Sequence, residues 1–167
     1  MVKGYATQML GVESFLIYRC ETSMTAKDPL LLDQQLCFAL YSTSLAMTKV
    51  YKPLLEEVGL TYPQYLLMLV LWENDRLPLK ELARRLHQDS GALTPVLKRL
   101  EAEGYVTRQR NVEDERNLSI ELTAQGRTLR EKAREINGTI GSYCALGDRE
   151  MTALRESLTA LRAKLER

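Results

Sequence analysis

The 167-residue chain has little of what anchors metals or runs acid–base chemistry: one histidine, His87, and three cysteines, at positions 20, 37 and 144. The cysteines form neither a close pair nor a metal-ligand spacing, and one histidine cannot complete a zinc set, so neither a metal nor a cofactor is expected. A Gly-rich phosphate loop and a Ser-His-Asp constellation are absent too, which argues against an enzyme. Long apolar runs are also missing. The longest, Tyr65 to Trp72, falls well short of the roughly 18 residues that cross a bilayer. Before residue 24 the only apolar block is Phe15 to Tyr18, with Glu13 just upstream, which is no secretory signal. With unpaired cysteines, this points to a reducing cytoplasm. There is no repeat, low-complexity tract or Gly/Ser linker. Residues 30–167 therefore read as one unit behind a leader, residues 1–29, of uncertain order, and Met24 is a candidate natural start.

What is present is an ordinary globular composition, 45% hydrophobic and 27% charged with a net charge of +1. In "LLLDQQLCFALYSTSLAMTKVYKPLL", Leu32, Leu36, Leu40, Met47, Val50 and Leu54 recur at helical intervals, with Pro53 near the end. After Gly59, "TYPQYLLMLVLWEN" offers Thr61 or Tyr62 as a cap and Pro63 early in the helix. The residues that follow are apolar on nearly every side, which predicts a central, buried helix. "LPLKELARRLHQDSGALTPVLKRLEAEGYV" then reads as two short helices joined by a polar turn. Leu79, Leu82, Ala83 and Leu86 stripe the first, where His87 also falls; Leu93, Val96, Leu97 and Leu100 stripe the second. Pro95 either delays the start of that second helix to about Thr94 or distorts it. In "YVTRQRNVEDERNLSIELT", Val106 and then Leu118, Ile120 and Leu122 flank a charged connection, as in a β-hairpin. Two helices close the chain, one from Thr123 to about Ile136 and one opened by Asp148. In the last, Met151, Leu154, Leu158, Leu161 and Leu165 form a stripe that wants a partner.

The expected fold is mainly α: a winged helix-turn-helix over residues 61–122, with residues 30–60 and 123–167 forming a helical dimerisation region. Between Arg76 and Arg116 there are nine Lys or Arg against seven acids, a weak local excess. In a winged helix the second helix enters the major groove and the wing reaches backbone or minor groove. That places Ser90, Thr94, Lys98 and Arg99 against phosphates and base edges and Arg108, Arg110 and Arg116 on the hairpin, with Asp114 able to orient Arg116. A solvated helical face would use the same charges, but helices and hairpin in this order favour double-stranded DNA.

Cys37 stands on the stripe of the first helix. A lone cysteine there is more often a small core residue than a reactive thiol. Tyr41, however, lies one turn on and can donate to a thiolate. Tyr51 shares the same face but sits roughly 21 Å along the helix. It could therefore meet only the cysteine of a second, antiparallel copy. Tyr62 could join them.

"LDQQLCFALYSTSLAMTKVYKPLLEEVGLTYPQYLLMLVLWE", "DSGALTPVLKRLEAEG" and "DERNLSIELT" together resemble the organic hydroperoxide resistance regulators, a branch of the MarR family of winged-helix repressors. The resemblance runs from about Leu30 to the C-terminus and is looser beyond the wing. It implies a homodimer that represses through an inverted-repeat DNA operator and lets go when organic hydroperoxides oxidise Cys37, with Tyr41, Tyr51 and Tyr62 around the thiol. It also implies that Ser90, Thr94, Arg99 and Arg116 face DNA. Some members resolve the oxidised thiol with a cysteine of the other subunit, and Cys144 stands about where that cysteine would be; an external thiol is the alternative. Phe38 and Leu40 would favour bulky peroxides. Cys20 has no assigned role. Two other readings stand beside this one: a MarR-type repressor released by a small phenolic ligand in an apolar cleft, and a thiol peroxidase.

Overall fold

In the computed structural model, residues 28, 30–110 and 118–166 are described, apart from the side chains of Arg110 and Leu118. By its contacts the chain divides into Met1–Ala39 and Leu40–Arg167. The described part of the first unit holds a 3-10 turn, Leu32–Gln34, and the start of α1 (Leu36–Glu56). Leu30, Leu31, Leu32 and Leu36 are all exposed.

The second unit is built around α2 (Tyr62–Glu73). Pro63 stands in its first turn, where no intrahelical N–H is needed, and the Gln64 side chain reaches back to accept the Thr61 N–H at 2.7 Å. Gln64 is the one buried polar residue among the described residues, and its amide also donates to Glu103 at 2.8 Å. Tyr65, Leu67, Met68, Val70, Leu71 and Trp72 are buried, as the apolar pattern predicts for a central helix, while Leu69 is exposed and Leu66 half-buried, so one side stays open.

Around α2 lie β1 (Leu77–Pro78), α3 (Leu79–Arg85), α4 (Ser90–Ala102), β2 (Val106–Arg110), β3 (Leu118–Leu122) and α5 (Ala124–Cys144); α6 (Asp148–Leu165) ends the chain. The strands form one antiparallel sheet in the order β1-β3-β2, with Leu77 opposite Ile120 and Arg108 also opposite Ile120 from the other side. α4 buries Leu93, Leu97 and Leu100 on one face, and α5 buries Leu129, Ala133, Ile136 and Ile140. No helix of the described residues is long and apolar enough to cross a membrane.

Two sequence expectations need correction, and the choice left open at Pro95 is settled. α4 starts at Ser90 and carries Pro95 inside it. The carbonyl that loses its partner belongs to Gly91, which is exposed to water, while burial of three leucines holds the helix together. His87 is not on α3 but ends it: at φ 53° it takes the left-handed position, with its N–H donating to Arg84 O at 3.3 Å and that of Gln88 to Ala83 O at 3.0 Å. α5 runs to Cys144 rather than Ile136. The last helix opens at Asp148 as expected, with Gly147 as its cap.

Candidate DNA-facing helix and thiol site

α3, the His87 turn and α4 form the helix-turn-helix. Because Leu93, Leu97 and Leu100 bury one side of α4, the opposite side, with Gly91, Ala92, Pro95, Lys98 and Arg99, is exposed. Lys98 and Arg99 are in no ion pair with a described residue, so their charges are available to a polyanion. Ser90 and Thr94 are half-buried, and Thr94 Oγ1 donates to Ser90 O at 3.0 Å. Arg108 sits differently from Lys98 and Arg99. It shares the inner side of β2 with buried Val106, and its Nε lies 3.1 Å from Glu101 Oε2 in an ion pair, although neither Nε nor Nη2 is aligned for a hydrogen bond. It stiffens the α4–β2 junction. Asp114, Arg116 and the Arg110 side chain lie outside the described residues.

The root of the wing is tied to α2 and α5 by a dense set of bonds. Asp75 accepts the N–H groups of Leu122 and Arg76, each at 2.9 Å, and pairs with Arg127, which also donates to Leu122 O at 3.1 Å. Burial alone would raise the Asp75 carboxyl, but these donors together hold it below the usual carboxylate range. Nearby, the buried indole of Trp72 donates to Gly126 O at 2.8 Å, and Thr123 Oγ1 caps α5 by accepting the Gly126 N–H at 3.0 Å.

Of the residues expected at the thiol site, Cys37 is exposed and free, and Tyr41 is exposed. Tyr51 and Tyr62 meet, with ring centroids 5.0 Å apart. Sequence reasoning missed a third ring. Tyr65, one turn after Tyr62 on α2, lies 5.5 Å from Tyr51 and 6.4 Å, edge-on, from Trp72. Its i+3 spacing from Tyr62 was a usable signal, hidden by its place in an apolar run.

Cys144 is half-buried at the end of α5, packed against the core. Burial first, and then Tyr65, Tyr62 and Cys144, push the Tyr51 hydroxyl up to about 12. Burial raises Tyr62 and Tyr65 as well. At neutral pH all three are therefore phenols that can donate a proton to an anionic neighbour.

A family model described as "Transcriptional regulator SarA/Rot" matches residues 49–133. The organic hydroperoxide resistance transcriptional regulator of Bacillus subtilis is 47% identical over 80% of this chain and 91% of its own length. Among solved structures, AbfR of Staphylococcus epidermidis, reduced and bound to DNA, superposes with a TM-score of 0.67 at 35% identity, over 81% of this chain and 95% of that one. AbfR overoxidised and bound to DNA gives 0.66 at 36% identity, over 80% and 94%. AbfR with a disulfide formed gives 0.57 at 36% identity, over 81% and 90%.

Proposed function

Because this chain belongs to the MarR family of winged-helix transcriptional regulators, in its organic hydroperoxide resistance branch, we propose that it is a thiol-based peroxide sensor that holds an operator as a homodimer. The observation that carries this reading is the ring cluster at Tyr51, which lies tilted against Tyr62 and Tyr65 at centroid distances of 5.0 and 5.5 Å. Two of the three tyrosines expected around Cys37, Tyr51 and Tyr62, are thus brought together, and Cys144 packs against the same core, which supports a disulfide between the Cys37 of one subunit and the Cys144 of its partner. α6 supports a dimer, because Leu154 and Leu158 are exposed along its stripe and it buries no residue in its own chain.

The Cys37 thiolate attacks the distal oxygen of a hydroperoxide ROOH. An S–O bond forms, the O–O bond breaks, and the alkoxide leaves as ROH after taking a proton, leaving a sulfenic acid. The Cys144 thiol of the other subunit then condenses with it, forming the S–S bond and releasing water. For this to happen the two Cα atoms must approach to within about 7 Å, and that shift is read as a changed separation of the two α4 helices, which a twofold operator holds one DNA turn apart. AbfR is seen on DNA both reduced and overoxidised, which favours assigning release to the disulfide and not to oxidation of one thiol.

The test is a non-reducing gel and intact mass after one equivalent of cumene hydroperoxide, with operator binding followed in parallel. Wild type should form a dithiothreitol-reversible covalent dimer and release DNA. Cys37→Ser should do neither, and Cys144→Ser should be oxidised without cross-linking. If Cys37→Ser still lets go of DNA on peroxide, the sensing role assigned to Cys37 is wrong. A separate expectation concerns α4: Arg99→Ala should weaken operator binding about tenfold, within the roughly 1–3 kcal/mol range of one good contact, without changing oxidation. An unchanged affinity in a titration at fixed salt would remove Arg99 from the interface.

A further inference from the structure

His87 stands at the bend between α3 and α4, in the left-handed region at φ 53°. A residue with a Cβ is strained there and glycine is not, so what the ring touches is informative. Its Nδ1 lies 2.9 Å from Oε1 of Glu166, the residue that follows α6. A carboxylate oxygen so close requires a hydrogen on Nδ1, which the ring carries as the imidazolium or as the Nδ1–H tautomer. Arg162, one turn back on α6, approaches the same oxygen at 3.9 Å. α6 buries no residue in its own chain. Among the described residues, the contact with His87 is the one ion pair that joins α6 or its cap to another element. The bend it reaches is stiff: Arg85, which ends α3, pairs with Glu73, which ends α2, and Leu93, Leu97 and Leu100 seat α4 in the core. A displacement of the bend is therefore carried into α4 and not absorbed by the turn.

We propose that the His87–Glu166 contact is a strut by which α6 sets the attitude of the helix-turn-helix, which makes His87 a positioning residue for operator binding. This rests on the reading of α6 as a dimer-forming helix. When two copies pair through α6, each copy's Glu166 fixes its own α3–α4 bend relative to the shared region, and so fixes the separation of the two α4 helices. A twofold operator reads that separation, because its half-sites lie one helical turn apart. A single exposed pair adds little to the stability of a fold, so the strut acts on geometry and not on melting. Charge alone predicts the opposite outcome. Glu166 is an acid, and removing an acid from a DNA-binding protein strengthens its hold on a polyanion. A loss of affinity on removing Glu166 therefore has the wrong sign for a charge effect.

The test is a double-mutant cycle in the full-length reduced protein, with His87→Gly, Glu166→Ala and both together. The probes are a duplex that wild type selects from a randomised pool and a shuffled duplex of the same composition, titrated at fixed salt and neutral pH. Each single variant should bind the selected duplex about threefold more weakly, the size expected of two exposed pairs in a dimer, and the double variant no more weakly than either. The shuffled duplex should lose no affinity for any of them, since it demands no half-site spacing. The thermal midpoint of Glu166→Ala should equal that of wild type. His87→Asn tolerates the left-handed bend and puts an amide N–H where Nδ1 stands, so it should bind as wild type does. Losses that add in the double variant, or a Glu166→Ala protein that binds the selected duplex as tightly as wild type or tighter, overturn the strut and leave the dimer standing. A wild-type protein that sediments as a monomer, alone and on the selected duplex, takes down both.

Discussion

Gly126→Ala should lower the thermal midpoint by about 6–12 °C, equivalent to about 3 kcal/mol for a chain of this length, as read from reversible melting of the reduced protein. A Cβ at position 126 would stand 2.1 Å from the Tyr105 carbonyl oxygen, 3.1 Å from its carbon and 3.3 Å from a Leu122 methyl. The obstacle is backbone and cannot rotate away. Nor can the first turn of α5 back off easily. Thr123 N donates to that same Tyr105 oxygen at 3.1 Å, Thr123 Oγ1 donates to Gly104 O at 2.7 Å, and Trp72 holds the Gly126 carbonyl. Alanine is the better helix former by about 1 kcal/mol, so the steric term has to win against propensity. The internal control is Gly138→Ala on the same helix, where nothing lies within 4 Å; there only propensity acts, and a gain of up to about 1 kcal/mol is expected. Equal melting of Gly126→Ala and wild type would show that α5 does not seat as closely on the Tyr105 backbone as described.

Asp75→Ala should cost about 2–3 kcal/mol, because it strips the acceptor from the Leu122 N–H and leaves Arg127 without its carboxylate. The pH dependence has a fixed sign. The folded carboxyl titrates below its unfolded value, so its contribution is complete above about pH 4 and is lost as pH falls through the folded value. The stability gap between wild type and the variant should therefore be flat at neutral pH and shrink in acid. A gap that stays constant into strong acid would mean the ionised form does no work there. Because Leu122 ends the wing strand β3, operator affinity should fall with stability even though Asp75 itself carries no charge that DNA would attract.

Legibility followed the range of the interaction. α2 was readable because its run of apolar residues leaves no polar face, and the helix-turn-helix followed from two short stripes and a turn. α5 was read too short because Asn137, Gly138 and Gly141 look like a stop. Yet Leu129, Ala133, Ile136, Ile140 and Cys144 keep a three- or four-residue step, and that stripe outweighs the weak local residues. β1 could not be seen, since two residues carry no alternation and exist as a strand only through β3. His87 was misplaced because the left-handed turn that ends α3 is usually given to glycine. Tyr51 and Tyr62 were named in advance as neighbours of Cys37, and what the structure shows is their meeting with each other and with Tyr65, a contact between α1 and α2 that no local pattern encodes. Arg108 was assigned to the wing's charges, although strand alternation with Val106 would have turned it inward.

Trp72 is the chain's single tryptophan, and it sits where the tyrosine-bearing helix meets the root of the wing, its indole N–H bonded to the first turn of α5. The protein therefore carries its own optical reporter at that joint. With the indole 8% exposed and 6.4 Å from Tyr65, its ultraviolet emission should be that of a dry, hydrogen-bonded ring. If oxidation loosens the joint, the emission will move to the red as water enters. The arrival of a peroxide signal at the DNA-binding region can then be timed in stopped flow without attaching any label.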